Sequence, residues 1–322
     1  MSDLNPNDKC TENSPWERDI LEKLVFASVT EQRRTRRWGI FFKLLLAGYL
    51  GVALWLVAKP FDGKKHSDAK GHTAVVDVTG MIADGSESNA DKIIEGLRDA
   101  IEDKGTKGIV LRMNTPGGSP VQSAYVYEEI RRLKKEHPEL PIHAVVSDLC
   151  ASGGYYIASA TDKIFVSPAS VIGSIGVIMN GFGFVDAMSK LGVERRLVTA
   201  GEHKALLDPF SPVSEPEKAH IQGVINGIHR QFIDAVKQGR GDRLKNQPDL
   251  FSGLVWTGDE GIKLGLADEV GDVRSVAKNV IGAEEVVNFP VRERLIDRVS
   301  QRIGSSVGHT LQQALGLTSS IL

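Results

Sequence analysis

Residues 108–119, GIVLRMNTPGGS, run from a short apolar segment into a glycine turn, and residues 142–156, IHAVVSDLCASGGYY, show the same arrangement. A helical pattern follows each of the two turns. Short apolar strands that alternate with helices indicate an α/β fold with mostly parallel strands. In such folds ligands bind at the carboxyl ends of the strands, so the two turns are the first places to look for a functional site.

The same alternation continues on both sides of these segments. Further strands are predicted at TAVVDV, KIFVSP, GVIM and ERRLVT, and helices near residues 89–102, 120–136 and 185–191. Ser214 and Glu217 form an S-x-x-E capping box, which predicts the start of a long helix.

Composition excludes several classes of protein. The 322 residues include 39 Lys+Arg and 41 Asp+Glu, and the net charge of -2 gives no global electrostatic reason to expect a partner nucleic acid. Two cysteines cannot form a framework of disulfides. No C-x-x-C or H-E-x-x-H spacing occurs, so we expect no metal and no cofactor.

Residues 38–58, WGIFFKLLLAGYLGVALWLVA, form an apolar run with a single charge, Lys43. A helix of this length spans the ~30 Å hydrocarbon core of a bilayer, which predicts one transmembrane helix that contacts lipid. A buried core helix is disfavoured because it would show a polar face, and residues 38–58 show none. A cleaved signal peptide is disfavoured because a long segment precedes the run and no small-x-small cleavage site follows it.

Basic residues are more frequent before the apolar run than after it, which predicts a cytoplasmic N-terminus. The chain is thus divided into a cytoplasmic segment, the membrane helix, a linker, an extracytoplasmic globular domain and a C-terminal tail. Their predicted bounds are 1–37, 38–58, 59–71, 72–303 and 304–322.

The first turn, Asn114-Thr-Pro-Gly-Gly-Ser119, combines a proline with paired glycines. Glycines permit positive φ and close backbone approach, so amide N–H groups can point at a bound group. The spacing matches neither a dinucleotide-binding fingerprint nor a P-loop, which makes a phosphate site unfavoured. A simple tight turn is the alternative.

The second turn places Ser152 between a strand and a helix, flanked by small residues. That position suits a nucleophile whose neighbouring backbone amide acts as an oxyanion donor. The alternative is that Ser152 is a helix N-cap and the glycines that follow are packing positions.

A nucleophilic serine needs a base, and no Ser-His-Asp order can be defended from the spacing. Lys204 lies in GEHKALLDPF, residues 201–210, beside apolar residues that would favour a neutral amine if they enclosed it. Most lysines are solvated surface charges. His203 is an alternative base.

Four motifs now point to one family. They are RMNTPGG at 112–118, CASGGYY at 150–156, SVIGSIGVI at 170–178 and AGEHK at 200–204. In this order they resemble the signal peptide peptidase A family in its short, single-repeat form, over about residues 73–282. The resemblance implies the Clp/crotonase fold, a repeated ββα superhelix with a parallel sheet, preceded here by the one transmembrane helix.

The resemblance also implies a serine endopeptidase with a Ser-Lys dyad and no cofactor. Ser152 would be the nucleophile and Lys204 the general base. The amides of Gly118 and Gly153 would form the oxyanion hole, and Ser174 would orient the lysine. Thr115 stands where serine is frequent in the family, and Cys150 where a small or apolar residue is usual.

By the same resemblance, the substrates would be remnant signal peptides and other hydrophobic or unfolded peptides. The domain would lie on the periplasmic side of the bacterial inner membrane, in a homo-oligomer such as a ring of eight. In relatives of the short form, the lysine reaches the serine of a neighbouring subunit. Two alternatives remain: a crotonase-like acyl-CoA enzyme, although neither glycine turn holds a glutamate, and a non-catalytic membrane-tethered scaffold.

Overall fold

The computed structural model describes residues 23, 34, 36–52 and 71–289. Other parts of the predicted organisation therefore lie outside the described residues. These are most of the cytoplasmic segment, residues 53–58 of the predicted membrane helix, most of the linker, residues 290–303 of the globular domain, and the tail at 304–322.

Residues 36–52 are helical, and their side chains are exposed. The ring of Trp38 lies 5.8 Å from the rings of Phe41 and Phe42. Within the described residues, no helix combines the length and the hydropathy needed to cross a bilayer. The predicted span extends beyond this helix to residue 58, so the membrane helix stays a prediction.

A mixed sheet forms the centre of the globular unit, and the described residues contribute eight strands to it. The strands are β1 (His72–Thr79), β2 (Thr106–Thr115), β3 (Ile142–Ala151), β4 (Ile164–Val166), β5 (Val171–Gly173), β6 (Val255–Thr257), β7 (Glu269–Val270) and β8 (Val286–Asn288). The main order is β6-β5-β3-β2-β1-β8, with β4 beside the first half of β3 and β7 beside β4. Every pairing is parallel except β5–β6. The predicted α/β class with a mostly parallel sheet is confirmed, and the arrangement fits the Clp/crotonase-like fold.

Helices follow most of the strands, as parallel pairing requires. They are α1 (Ala90–Glu102), α2 (Pro120–Glu136), α3 (Gly153–Ala158), α4 (Val185–Leu191), α5 (Glu215–Arg240), α6 (Gly258–Leu264) and α7 (Val273–Val276), with short 3-10 turns at Gly241–Arg243 and Pro248–Phe251 and a π-helical turn at Ala277–Ile281. The capping box predicted at Ser214 and Glu217 is present at the start of α5.

Strands β1 to β5 are mostly buried, and burial on both faces of the sheet explains the continuous apolar runs of its central strands. Side chains alternate across the sheet, so Ala74, Val76 and Val78 of β1 face the main core, whereas Val75 faces a smaller cluster. The main core packs against α1, α2 and α3 and the second half of α5, and the smaller one packs against α7.

Two predicted strands are wrong. GVIM at 176–179 and ERRLVT at 194–199 have no strand structure, and β5 ends at Gly173. Within the described residues, the sheet has no strand that pairs with either segment. A strand without a partner gains no ladder hydrogen bonds, and the apolar side chains here are exposed, as Val198 is at 95%.

His143 of β3 is a buried titratable group in the smaller cluster, edge-on to the ring of Phe165 at 5.6 Å. Its Nδ1 is buried and has no hydrogen-bond partner among the described residues. Burial lowers the pKa of His143; Asp162 opposes this shift, and Lys163 and Lys134 add to it. The folded state therefore disfavours the charged imidazolium.

Replacing His143 should reduce the acid sensitivity of the fold. The folded-state pKa lies below the unfolded value of 6.5, so the unfolded chain binds more protons and stability falls as pH drops below 6.5. His143→Phe should remove a pH dependence of the free energy of unfolding of up to about 1.4 kcal/mol per pH unit. Urea unfolding across this range measures it, with His220→Gln on the exposed face of α5 as the control. If the free energy of unfolding depends on pH equally in His143→Phe and in the parent chain, the lowered pKa of His143 is contradicted.

Candidate active site

The carboxyl ends of three neighbouring strands meet at one edge of the sheet. Thr115 at the end of β2 pairs with Cys150 of β3, and Ala151 at the end of β3 pairs with Gly173 of β5. The parallel register therefore brings the glycine turn after β2, Ser152 after β3 and the chain after β5 together. This is the edge at which the sequence predicted a site.

Ser152 occupies a strained turn between β3 and α3. Its φ of 52° and ψ of -122° lie in a region that residues other than glycine rarely adopt, at a cost of about 1–3 kcal/mol. The Ser152 N–H donates to the Gly173 carbonyl at 2.8 Å, and its carbonyl accepts from the Tyr156 N–H at 2.9 Å. The hydroxyl does not cap α3, so the backbone holds the turn and leaves the side chain available. The alternative in which the Ser152 side chain caps the following helix is therefore wrong.

The two glycine turns approach each other too closely for side chains. A Cβ atom on Gly117, where φ is 93°, would lie 2.6 Å from the Gly153 amide nitrogen. A Cβ atom on Gly153 would overlap the hydroxyl of Ser123 and lie 3.2 Å from the Gly118 nitrogen. Glycine is therefore required at these positions, and the Gly118 and Gly153 amides are brought close together.

Gly80 and Ile82, which the sequence analysis did not identify, help Thr115 to hold the first glycine turn in place. The Thr115 hydroxyl donates to the Gly80 carbonyl at 2.5 Å and accepts from the Gly117 N–H at 3.0 Å. The Ile82 N–H donates to the Gly117 carbonyl at 2.9 Å, and the Ile82 carbonyl accepts from the Ser119 N–H at 2.7 Å. The available signal was Gly80, a glycine directly after β1 at the same edge of the sheet.

A cavity of about 280 Å³ opens beside Ser152. Gly118 and Gly153 both line it, and no hydrogen bond donated by either amide is found among residues 71–289. Most other lining side chains are apolar and come from α2, α3 and α5. The lining consists of Gly118, Pro120, Val121, Ala124, Tyr125, Ser152, Gly153, Tyr156, Gly176, Val177, Ile228, Gln231 and Phe232.

Ser174 lies next to this centre without lining the cavity. It follows Gly173, the residue that binds the Ser152 N–H, and it also has a positive φ, 51°. The Ser174 N–H donates to the Leu254 carbonyl at 2.7 Å. The backbone thus places Ser174 one residue beyond the hydrogen bond to Ser152.

Lys204 is not brought to Ser152 within the single chain. It lies in the turn after Gly201, its side chain is exposed, and it does not line the cavity. His203 is exposed as well. The apolar enclosure predicted for Lys204 is absent because no residue from 176 to 231 is buried.

Cys150 is a buried free thiol directly behind the site, and burial raises its pKa. It therefore stays protonated and behaves as a small apolar group. Among the described residues, no cluster of three or more His, Cys, Asp or Glu residues that could hold a metal ion is found.

Comparison with known proteins agrees with this geometry. The profile of Peptidase family S49 matches residues 134–286, which include Ser152, Ser174 and Lys204. A putative signal peptide peptidase SppA of Enterococcus faecium is 33% identical over 202 residues, which cover 60% of this chain and 58% of that protein. Protease 4 of Haemophilus influenzae is 34% identical over 232 residues, with coverage of 70% and 37%.

A third relative has a different name. The Na(+)/H(+) antiporter NhaA of Brucella abortus is 45% identical over 213 residues, which cover 66% of this chain but 29% of that protein. This chain thus spans less than two thirds of the length of each of the three relatives. Taken with the strained serine and its two glycine turns, the profile matched at residues 134–286 and the two peptidase relatives support the signal peptide peptidase A family of serine peptidases, family S49, as the family of this domain.

Proposed function

We propose that the protein is a membrane-anchored serine endopeptidase that uses a Ser-Lys dyad. The observation that carries this proposal is that Ser152 lies in a strained turn and lines one cavity together with Gly118 and Gly153. Its hydroxyl makes no capping hydrogen bond to α3. In this proposal the Ser152 hydroxyl attacks a peptide carbonyl carbon. The two amides, which donate no hydrogen bond to residues 71–289, stabilise the negative charge that develops on the carbonyl oxygen.

Lys204 is the proposed base. A neutral Lys204 amine accepts the proton from the Ser152 hydroxyl as the new C–O bond forms, and donates it to the nitrogen of the leaving amine as the C–N bond breaks. Water then attacks the acyl-enzyme by the same route and releases the acid. Ser174, beside the Ser152 hydrogen bond, would orient the lysine.

A second copy of the chain would complete this site. Residues 176–231, here called the exposed segment, contain no buried residue and expose large apolar side chains, including Ile178 at 79% and Phe182 at 83%. Exposed apolar surface of this extent is typical of an interface. The segment carries Lys204, and its two ends line the cavity, so a homo-oligomer would enclose Lys204 and place it near Ser152 of a neighbour. Rings of eight occur in the family.

The substrates we propose are remnant signal peptides and other hydrophobic or unfolded peptides. The apolar cavity beside Ser152 suits an apolar side chain next to the cleaved bond. The name of the Enterococcus relative refers to signal peptides. Family membership favours this reading over an acyl-CoA enzyme, and we propose no cofactor and no nucleic-acid partner.

Residues 38–58 would anchor the protein in the bacterial inner membrane, with the N-terminus in the cytoplasm and the catalytic domain in the periplasm. The described part of this segment, residues 38–52, is helical and carries one charged residue, Lys43. An anchor of this kind would hold the catalytic site close to peptides left in the membrane.

Covalent labelling tests the nucleophile and the base together. A serine-reactive phosphonate should modify Ser152 in the wild-type chain, as peptide mapping shows, and Ser152→Ala should abolish both labelling and peptide turnover. Lys204→Ala should lower turnover by at least ~10²-fold because the proton acceptor is lost. His203→Ala is the matched control and should remain active. An unlabelled Ser152 would support the scaffold alternative, and an inactive His203→Ala beside an active Lys204→Ala would make His203 the base.

Mixing two inactive variants tests whether Lys204 acts on a neighbouring subunit. Co-expressed Ser152→Ala and Lys204→Ala chains should regain about one quarter of wild-type turnover, because random mixing pairs an intact serine with an intact neighbouring lysine at that frequency. The same two chains, mixed after separate assembly without exchange, serve as the control. No recovery on co-expression would show that serine and lysine act within one chain.

Membrane fractionation tests the anchor. The full-length chain should remain in the membrane pellet after an alkaline carbonate wash, because removing an apolar helix from the bilayer is costly. A chain that begins at residue 59 should appear in the soluble fraction. Release of the full-length chain by carbonate would contradict the proposal.

A further inference from the structure

The orientation of one peptide group in the first glycine turn is determined by Ile82. The Gly117 carbonyl accepts the Ile82 N–H at 2.9 Å. All peptide bonds in the described residues are trans, and in a trans peptide the carbonyl and the following N–H point in opposite directions. The Gly118 N–H therefore points away from Ile82.

The opposite side of this peptide is where the nucleophile lies. A Cβ atom on Gly117 would be 2.8 Å from the Ser152 Cβ and 2.6 Å from the Gly153 nitrogen. The Gly118 nitrogen in turn lies 3.2 Å from where a Cβ on Gly153 would be. With its carbonyl bound to Ile82, this peptide presents its N–H on the side of Ser152 and Gly153.

A second hydrogen bond fixes the peptide that follows. The Ser119 N–H donates to the Ile82 carbonyl at 2.7 Å, so Ile82 binds the chain on both sides of Gly118. The contact is so close that a Cβ atom on Gly118 would overlap the Ile82 carbonyl oxygen. Ile82 itself is fully buried in the main core, which ties this contact to the rigid part of the fold.

We propose that Ile82 is a positioning residue whose backbone N–H holds the Gly117–Gly118 peptide in the orientation needed for the oxyanion hole. Two consecutive glycines with φ of 93° and 153° have no side chains that would resist rotation of the peptide between them. Without the Ile82 N–H, this peptide can turn its carbonyl toward the cavity and its N–H away from it. The inference rests on the proposed function, in which the Gly118 amide binds the oxyanion.

An amide-to-ester replacement tests this role without changing a side chain. Incorporating the α-hydroxy analogue of isoleucine at position 82 of the full-length chain replaces the Ile82 N–H by an ester oxygen, makes the Met81 carbonyl an ester carbonyl, and keeps the Ile82 carbonyl that binds Ser119. We expect kcat for a peptide substrate to fall roughly 10- to 100-fold, with KM within about twofold of wild type. The affinity for a peptide boronate, which mimics the tetrahedral intermediate, should fall in parallel with kcat.

Ile109 offers a matched control. It is also a fully buried isoleucine, and its N–H donates to the Pro141 carbonyl at 2.8 Å at the opposite end of β2. The same ester at position 109 should lower the melting temperature to a similar extent and leave kcat and boronate affinity unchanged. Equal kcat values for the two esters would overturn the positioning role of the Ile82 N–H. An active wild-type chain in the same experiment would still support the proposed function. A wild-type chain that neither cleaves peptides nor binds the boronate would contradict the proposed function itself.

Hydrogen exchange in the wild-type chain covers the case in which the position-82 ester does not fold. The Ile82 amide should exchange slowly both with and without the boronate. The Gly118 amide should exchange rapidly in the free protein and become protected when the boronate binds. Rapid exchange at Ile82, or a Gly118 amide that is already protected in the free protein, would overturn the inference.

Discussion

The candidate site depends on a contact between two stretches of backbone that carry no side chains. Gly117 and Gly153 approach within a distance that excludes any Cβ atom, and this contact joins the chain after β2 to the chain after β3. Parallel strands make the contact possible, because their register ends both strands at the same edge. Two amides from separate loops can then face one cavity.

The main features of the sheet and the position of the site could be predicted from sequence because both have local signals. Short apolar runs predict the central strands, and Ser214 with Glu217 predicts the start of α5. Glycines directly after strands predict the edge where the functional groups meet. These patterns depend on residue type alone, so they can be read without knowing what packs against them.

Other features have no such signal. Ile82 acts through its backbone, so its side chain gives no indication of the role, and only the fold shows that it binds both sides of Gly118. ERRLVT at 194–199 was predicted as a strand from its last three residues, Leu197, Val198 and Thr199, but the segment is exposed and pairs with no strand among the described residues. Lys204 has apolar neighbours in the sequence that would favour a neutral amine if they enclosed it, whereas the single chain leaves this residue exposed.

The two halves of the proposed site differ in how they are held. Ser152 and both glycine turns are fixed by backbone hydrogen bonds to a buried core. The exposed segment contains no buried residue, and α5 becomes buried only from Phe232 onward. The end of α5 is fixed by Arg240, which is fully buried and binds the Asp268 carboxylate through two nitrogens at 2.7 and 3.0 Å. In the proposed oligomer, the exposed half of α5 and Lys204 would contact a second copy, while the buried end of α5 and Ser152 stay attached to the core. In the proposed mechanism, assembly would add Lys204 as the base to a site in which each chain already holds Ser152 and the Gly118 and Gly153 amides beside one cavity.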